Sequence, residues 1–486
     1  MRMLPTQMHD RVLAGDRDWN GRFFFGVRTT GVFCLPSCAA RKPRPENVLF
    51  FPTCEAARAA GFRACRKCHP DDFARGADPV LEAIEALVAE VRDRPGDFAD
   101  TRGLVRRSGF GPTRLAELLR QHYHATPADL LRQARLVHAR GRLQAGDAAL
   151  TDVAGEAGFA SLSVFHEQFR SHHGLTPAAY RALRSQDTFT LELPTGYPLA
   201  HLRRALGRDP QSVSERLDGD SFTAGVRLDG EPARLRLQLG AKRVKVTTST
   251  GSAFAAHAVA SGWLGLDQDA AGCARLARGL GLGRLVAGRP GLRLVQTPTV
   301  FDGLTWAVLG QQITLGFAFV IRRRLVELAG TPVGEGLFAP PDPAEIAALE
   351  PAQLRALQCS ENKAKVLIGL ARRIVSGEFP AAGLQRLSAT RAERVLLAQP
   401  GLGPWSVNYV MMRALGFADC VPYGDTGLTS GLQILLRLEE RPDLDATRRL
   451  MAIFSPHRSL ATAHLWQLKA AGKKLPGNSP VTRTRS

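Results

Sequence analysis

The sequence predicts a multidomain, mainly α-helical protein, and three observations point to it. The chain has 486 residues, too many for one ordinary domain of ~150 residues. Cys34, Cys38, Cys54, Cys65 and Cys68 lie close together and mark off a small N-terminal domain. Hydrophobic periodicity is helical from Asp78 to about Leu183, changes to period two after Asp187, and is helical again from about Leu264 to Leu468. The expected parts are a small α/β domain (1–75), a helical domain (76–186), an α+β domain (187–270), a helical region (271–476) and a frayed tail (477–486).

Apolar residues make up 44% and charged residues 22%, a globular balance that excludes disordered and fibrous classes. No run approaches the ~18 apolar residues of a membrane span, and the opening MRMLPTQMHDRV lacks the apolar core of a secretion signal. The expectation is a cytoplasmic protein with no membrane partner. Net charge is +19, with +7 in residues 1–185 and +12 in the remainder, so the excess is not a detachable tail. Such a surface attracts polyanions through Coulomb energy and counterion release, which favours nucleic acid as partner over simple solubility.

In the first part, Phe23 to Val27 reads as a short strand. Cys34-x3-Cys38 and Cys65-x2-Cys68 supply two close pairs of soft ligands separated by 26 residues, the spacing of a four-cysteine zinc site. Such a site is an inert staple or, because surplus negative charge on sulfur favours attack on an alkyl group, a nucleophile. Spacing leaves both open. The segments Val27-Arg-Thr-Thr-Gly-Val-Phe-Cys-Leu-Pro-Ser-Cys38, Glu46-Asn-Val48 and Ala60-Gly-Phe-Arg-Ala-Cys-Arg-Lys-Cys68 resemble the N-terminal domain of the Ada methylphosphotriester repair proteins across most of residues 10–75. The resemblance implies one Zn2+ held by Cys34, Cys38, Cys65 and Cys68. It implies Cys34 as stoichiometric acceptor of a methyl group from a methylated DNA phosphate, and Thr30, Arg41 and Arg63 on the DNA backbone. Ala39 departs from the pattern where an arginine is expected. Cys54 reads as a core thiol and His69 as a solvated neighbour of the site.

The second part repeats itself. Thr126-Pro-Ala128 recurs as Thr176-Pro-Ala178, and Gly109-Phe110 as Gly158-Phe159, which fits two units of about fifty residues rather than a solenoid. In Ser161–Arg170, Val164, Phe165 and Phe169 are expected on the inner face, with Ser161, Ser163, His166 and Arg170 outward. That set suits a major groove, and equally a solvated bundle face. Ala154–Arg181 resembles the AraC-type paired helix-turn-helix domain; the first copy departs from it, with Gly111-Pro112-Thr113 in place of a polar opening. The resemblance implies promoter DNA as a partner, with RNA polymerase as a further one. Methylation of Cys34 would take a four-thiolate zinc centre from −2 to −1 and should strengthen DNA binding by the chain.

In the third part, Phe189-x-Leu191-x-Leu193, Leu235-x-Leu237-x-Leu239 and Val244-x-Val246 alternate as half-buried strands. In the fourth, Gly279-Leu-Gly-Leu-Gly283 lacks the third glycine of a dinucleotide fingerprint, with Val286 in its place. Pro400-Gly-Leu-Gly403 joins two amphipathic segments, and glycines with exposed amides at a helix start can grip a phosphate. Asp425, in Tyr423-Gly-Asp-Thr-Gly427, reads either as an N-cap or as a carboxylate facing the positive sugar formed when a glycosidic bond breaks.

With Gly288–Leu294, Ala307–Thr314 and His457–Ala461, these segments resemble the helix-hairpin-helix glycosylases, most closely the AlkA-type 3-methyladenine enzymes, from about residue 188 to 470. The resemblance implies a monofunctional DNA glycosylase with Asp425 as the catalytic carboxylate. It implies Trp405, Tyr409, Trp466 and Gln311 around the base, and Gln312, Gly401 and Gly403 on DNA, with Gln312 in the wedge position. Stacked aromatic faces suit a cationic alkylated base, which must be flipped out of the duplex. Bifunctional relatives carry a nucleophilic lysine where this chain has Trp405, so no strand cleavage through a Schiff base is expected. No Pro-Cys-His-Arg motif is present, and repair of O6-methylguanine is not expected. The fold class is thus a zinc-bound α/β domain, an AraC-like helical domain, an α+β domain and a helix-hairpin-helix glycosylase domain. The alternative is a non-enzymatic regulator with structural zinc and a degenerate glycosylase fold; a thiol redox sensor at Cys34 is a third reading.

Overall fold

The computed structural model describes residues 4–16, 19–75, 78–249 and 252–472; the expected tail at 477–486 lies outside them. The chain divides into two compact units, Met1–Ala89 and Glu90–Ser486. Among the described residues no helix is long and apolar enough to cross a membrane.

The first unit is built on a four-stranded sheet ordered Val48–Phe51, Phe24–Val27, Val32–Cys34, Arg63–Ala64. Three strands run antiparallel, and the short Arg63–Ala64 pairs in parallel with Val32–Cys34. The Phe23-Phe24-Phe25 run shows why one strand supports two cores. Phe23 and Phe25 face Val12, Val48 and three of the cysteines, whereas Phe24 faces Phe33, Leu35, Cys54 and Ala57. Cys54 is the core thiol expected, donating to the Pro70 carbonyl (3.4 Å).

The second unit opens with the repeated helices. Thr126 and Thr176 are N-caps, each accepting the backbone N–H three residues on (both 3.2 Å), and each is followed by proline in the first helical turn. The repeat seen in the sequence is therefore a repeat of helix starts. The helix Pro127–Ala145 connects the two copies, whose second helices are Pro112–Tyr123 and Leu162–His173. Phe165 and Phe169 are fully buried as expected, but Val164 is not: it is 37% exposed, beside Leu162 at 40%. Position 164 lies in the first turn of a helix whose N-terminal end projects from the bundle, so apolar character there does not mean core.

A five-stranded antiparallel sheet follows, ordered Thr188–Glu192, Arg243–Thr248, Glu231–Leu239, Ser221–Leu228, Glu215–Asp218. The strands expected from alternation are present. Ser221–Leu228 was not legible because it is buried along almost its whole length and does not alternate. The hairpin Thr331–Gly334/Leu337–Ala339 also interrupts what reads as a purely helical region; its Phe338 N–H donates to the Val213 carbonyl (3.0 Å). One core runs through the second helix-turn-helix copy and this sheet, joining Phe165, Phe169 and Tyr180 to Leu191, Leu235 and Trp263. The remaining helices, from Val300–Leu309 to Arg458–Gly472, pack around Leu304, Leu367, Val407 and Leu465.

Candidate functional site

In the first unit, the sheet brings the two cysteine pairs together. Cys34 ends the strand Val32–Cys34, Cys38 closes a turn whose N–H donates to the Leu35 carbonyl (2.9 Å), and Cys65 donates its N–H to the Phe33 carbonyl (3.0 Å). The four Sγ atoms lie within 4.8 Å of one another, against the about 3.8 Å edge of a tetrahedron with Zn–S bonds of ~2.3 Å. Backbone N–H groups of Leu35 and Lys67 point at the Cys68 and Cys65 sulfurs (both 3.4 Å). Hydrogen bonding to Cys38 and Cys68, and then burial, push the Cys34 thiol up, while hydrogen bonding to Cys34 and then Cys68 holds Cys38 down to about 2. Sulfurs this crowded ionise together only around a cation, so the donor set fits zinc. His69 stays outside the cluster and pairs with Asp72 (3.4 Å).

Cys34 is 4% exposed, and Cys68 is the least buried of the four. Thr30, Arg41 and Arg63 are exposed. Sequence reasoning missed two cations. Lys42 donates to the Cys38 carbonyl (2.9 Å) and Lys67 to that of Ala39 (3.1 Å), which puts positive charge beside the position that lacks the expected arginine.

In the second unit the anionic centre is Asp425. It is the N-cap of Thr426–Leu436, accepting the Leu428 N–H through Oδ1 (2.8 Å). Two indoles complete it: Trp466 Nε1 donates to Oδ1 (2.9 Å) and Trp405 Nε1 to Oδ2 (3.3 Å). The two sequence readings are thus compatible, since a capped carboxylate is also a fixed one. Trp405 stacks on Tyr409, with centroids 5.4 Å apart and planes inclined at 20°. Gly427 lies so close that a Cβ there would meet Asp425 Oδ1 and Trp466 Cδ1, each at 2.9 Å.

The hairpin Pro400–Gly403 precedes the helix Pro404–Arg413, which carries Trp405 and Tyr409. Its two glycines serve different ends. Gly401 has φ +83° and a Cβ there would strike Val366 at 2.2 Å, whereas Gly403 has open space before it. Gln311 spends its amide on the hairpin, donating to the Gly401 carbonyl and to Ser406 Oγ (both 3.0 Å). Gln312 is exposed and held at φ +55°. Near it, Leu315 (56% exposed) and Phe317 present apolar surface that sequence reasoning passed over.

On the helix Leu162–His173, Ser163 is exposed and His166 half-buried, while Ser161 caps the helix by accepting the Val164 N–H (3.2 Å). Arg170 lies in the last turn and pairs with Glu192 (3.4 Å), so its charge is engaged within the protein.

Three family models match successive stretches of the chain. A family model described as the metal binding domain of Ada matches residues 7–71, and a helix-turn-helix domain matches residues 104–183. The HhH-GPD superfamily of base excision DNA repair proteins matches residues 305–456. The chain is 30% identical to the probable bifunctional transcriptional activator/DNA repair enzyme AlkA of Mycobacterium tuberculosis, over 93% of this chain and 94% of that one. It is 33% identical to the DNA-3-methyladenine glycosylase of Bacillus subtilis, over 42% of this chain and 69% of that one. In fold it is similar to the 3-methyladenine DNA-glycosylase of Archaeoglobus fulgidus, with a TM-score of 0.52, 19% identity, and coverage of 59% of this chain and 100% of that one.

Proposed function

This chain belongs to the family of bifunctional transcriptional activator/DNA repair enzymes that join an Ada metal-binding domain, a helix-turn-helix domain and a base-excision glycosylase domain, and from that premise we propose that it repairs alkylated DNA in two ways. The second unit hydrolyses the N-glycosidic bond of alkylated bases such as 3-methyladenine. The first unit takes a methyl group from a DNA methylphosphotriester. The paired helix-turn-helix region supplies promoter binding, with RNA polymerase as the downstream partner.

The observation that carries the glycosylase reading is Asp425 between two indole donors and beside a stacked aromatic pair. An alkylated purine is cationic. Breaking its C1′–N bond releases a neutral base and leaves positive charge on the sugar, to which water then adds. A fixed carboxylate stabilises that charge more in the transition state than in the ground state. Oδ1 already accepts two short hydrogen bonds, so the less engaged Oδ2 is the oxygen to face the sugar. Trp405, Tyr409 and Trp466 offer π faces to the flipped cationic base, and Gln312, held in a left-handed conformation at an exposed turn, fills the gap in the duplex. Gln311 positions the hairpin through its amide, while Gly401 and Gly403 let the backbone approach a phosphate.

In the first unit, Cys34, Cys38, Cys65 and Cys68 would hold one zinc ion, which when bound keeps the sulfurs as thiolates. Cys34 Sγ forms the new S–CH3 bond, the O–CH3 bond of the triester breaks, and an ordinary phosphodiester is left. Thr30, Arg41 and Arg63 hold the backbone while this occurs, with Lys42 and Lys67 adding charge. Ser161, Ser163 and His166 face the major groove.

The glycosylase reading is tested by Asp425→Asn. The variant should bind damaged duplex as the parent does and lose about 100-fold or more in single-turnover base release. Unchanged release would remove Asp425 from the mechanism, and no release by the parent protein would favour the regulator reading.

A further inference from the structure

The two helix-turn-helix copies share one left-handed turn but fill it with different residues. After each reading helix the chain passes through the left-handed region, at Gly174 (φ +72°) in the second copy and at His124 (φ +55°) in the first. A residue with a Cβ is disfavoured there relative to glycine, so the side chain of His124 must bring something its twin does not need. Its Nδ1 accepts the backbone N–H of Asp419 (3.2 Å), and its ring meets Phe417 edge-on at 5.6 Å. Burial holds its pKa down to about 4, so the ring is neutral, and the Asp419 N–H aimed at Nδ1 selects the tautomer with the proton on Nε2.

Asp419 opens the segment that leads to Asp425. Its carboxylate accepts two bonds from the Arg458 guanidinium (both 2.8 Å) and one from Ser455 Oγ (2.8 Å). The next two amides are held as well. Cys420 N–H donates to Ser459 Oγ (3.0 Å) and Val421 N–H to Asn408 Oδ1 (3.2 Å). Three consecutive amides are therefore fixed by three side chains from different parts of the chain: the helix-turn-helix turn, the helix Arg458–Gly472, and the helix after the hairpin. The same helix-turn-helix copy also reaches the helix before the hairpin, where His122 Nδ1 lies 2.9 Å from Thr390 Oγ1.

We infer that the first helix-turn-helix copy is part of the excision machinery, with His124 as a positioning residue that fixes the segment 419–425 and so the carboxylate at its end. This agrees with the weak DNA-reading start of that copy, Gly111-Pro112-Thr113. It rests on the assignment of Asp425 as the carboxylate facing the sugar.

The experiment compares wild type, His124→Gly and His124→Asn in full-length protein. It measures single-turnover release of 3-methyladenine at saturating protein, duplex affinity and thermal unfolding. His124→Gly installs the residue of the twin copy, so the turn itself is preserved. It should release base about tenfold more slowly, with duplex affinity unchanged. His124→Asn tolerates the left-handed turn, offers an amide oxygen to the same N–H, and should recover most of the rate. A His124→Gly rate equal to wild type overturns the inference. So does a loss that asparagine fails to rescue, or one matched by lost affinity or early melting. Wild-type protein that releases no base overturns the Asp425 reading itself, and the inference with it.

Discussion

Asp425 is useful because its surroundings leave it one orientation. The Leu428 amide and the Trp466 and Trp405 indoles approach it from different directions, and the absence of a side chain at 427 lets Trp466 come close. Gly427→Ala should therefore displace the indole, or turn the carboxylate, without removing any functional group. Base release should fall on the order of tens-fold, because misplacement of about an ångström is enough to cost that much. Duplex binding, which we propose rests on the hairpin, should stay within about twofold. Single-turnover release and a binding titration on one duplex check this; equal losses in both would point to general damage. That Asp425 and Trp405 belong to one site, and the cysteine pairs to one cluster, was legible in the sequence because they sit in short, spaced motifs. Gly427 was visible in the same motif, but its reason was not, since Trp466 enters from 39 residues further on.

At the scale of elements, the helix Leu162–His173 shows how far periodicity goes. Phe165 and Phe169 follow the buried stripe, whereas Val164, adjacent in the pattern, stands exposed beside Leu162. Apolar side chains at the start of a reading helix can meet thymine methyl groups in the major groove. Val164→Ser should leave the melting temperature nearly unchanged and weaken binding to a preferred operator about tenfold more than binding to random duplex. Ser161→Ala, in contrast, removes a cap and should cost about 1 kcal/mol of stability, visible in denaturation. A drop in stability for Val164→Ser would return that residue to the core. The strands divide in the same way. Glu231–Leu239 alternates and could be read from sequence; Ser221–Leu228 is covered on both faces and could not.

In the second unit as a whole, packing buries imidazoles. His124, His201 and His257 are each held down to about 4, and His464 to about 3, in every case mainly by burial. Their folded values lie below the ~6.5 of an unfolded chain, so as pH falls the unfolded state binds protons first. Stability from these groups is complete above about pH 6.5 and is lost as pH drops towards about 4. Denaturation midpoints should fall between pH 7.5 and pH 5, and a midpoint flat across that window would mean the imidazoles are not kept from protonation. No motif announces these histidines, because their burial arises from contacts such as His257 Nε2 on the His173 carbonyl (2.8 Å), made between distant parts of the chain.

The measurement that bears most directly on a chain with two repair chemistries is the fate of a methyl label. Full-length protein is incubated with duplex DNA carrying radiolabelled methyl groups, and the label is followed into free base, protein and residual DNA. The expected result is label released as free 3-methyladenine together with a fixed, stoichiometric fraction on Cys34. Label that remains entirely in the DNA would contradict both chemistries and leave a DNA-binding regulator in their place.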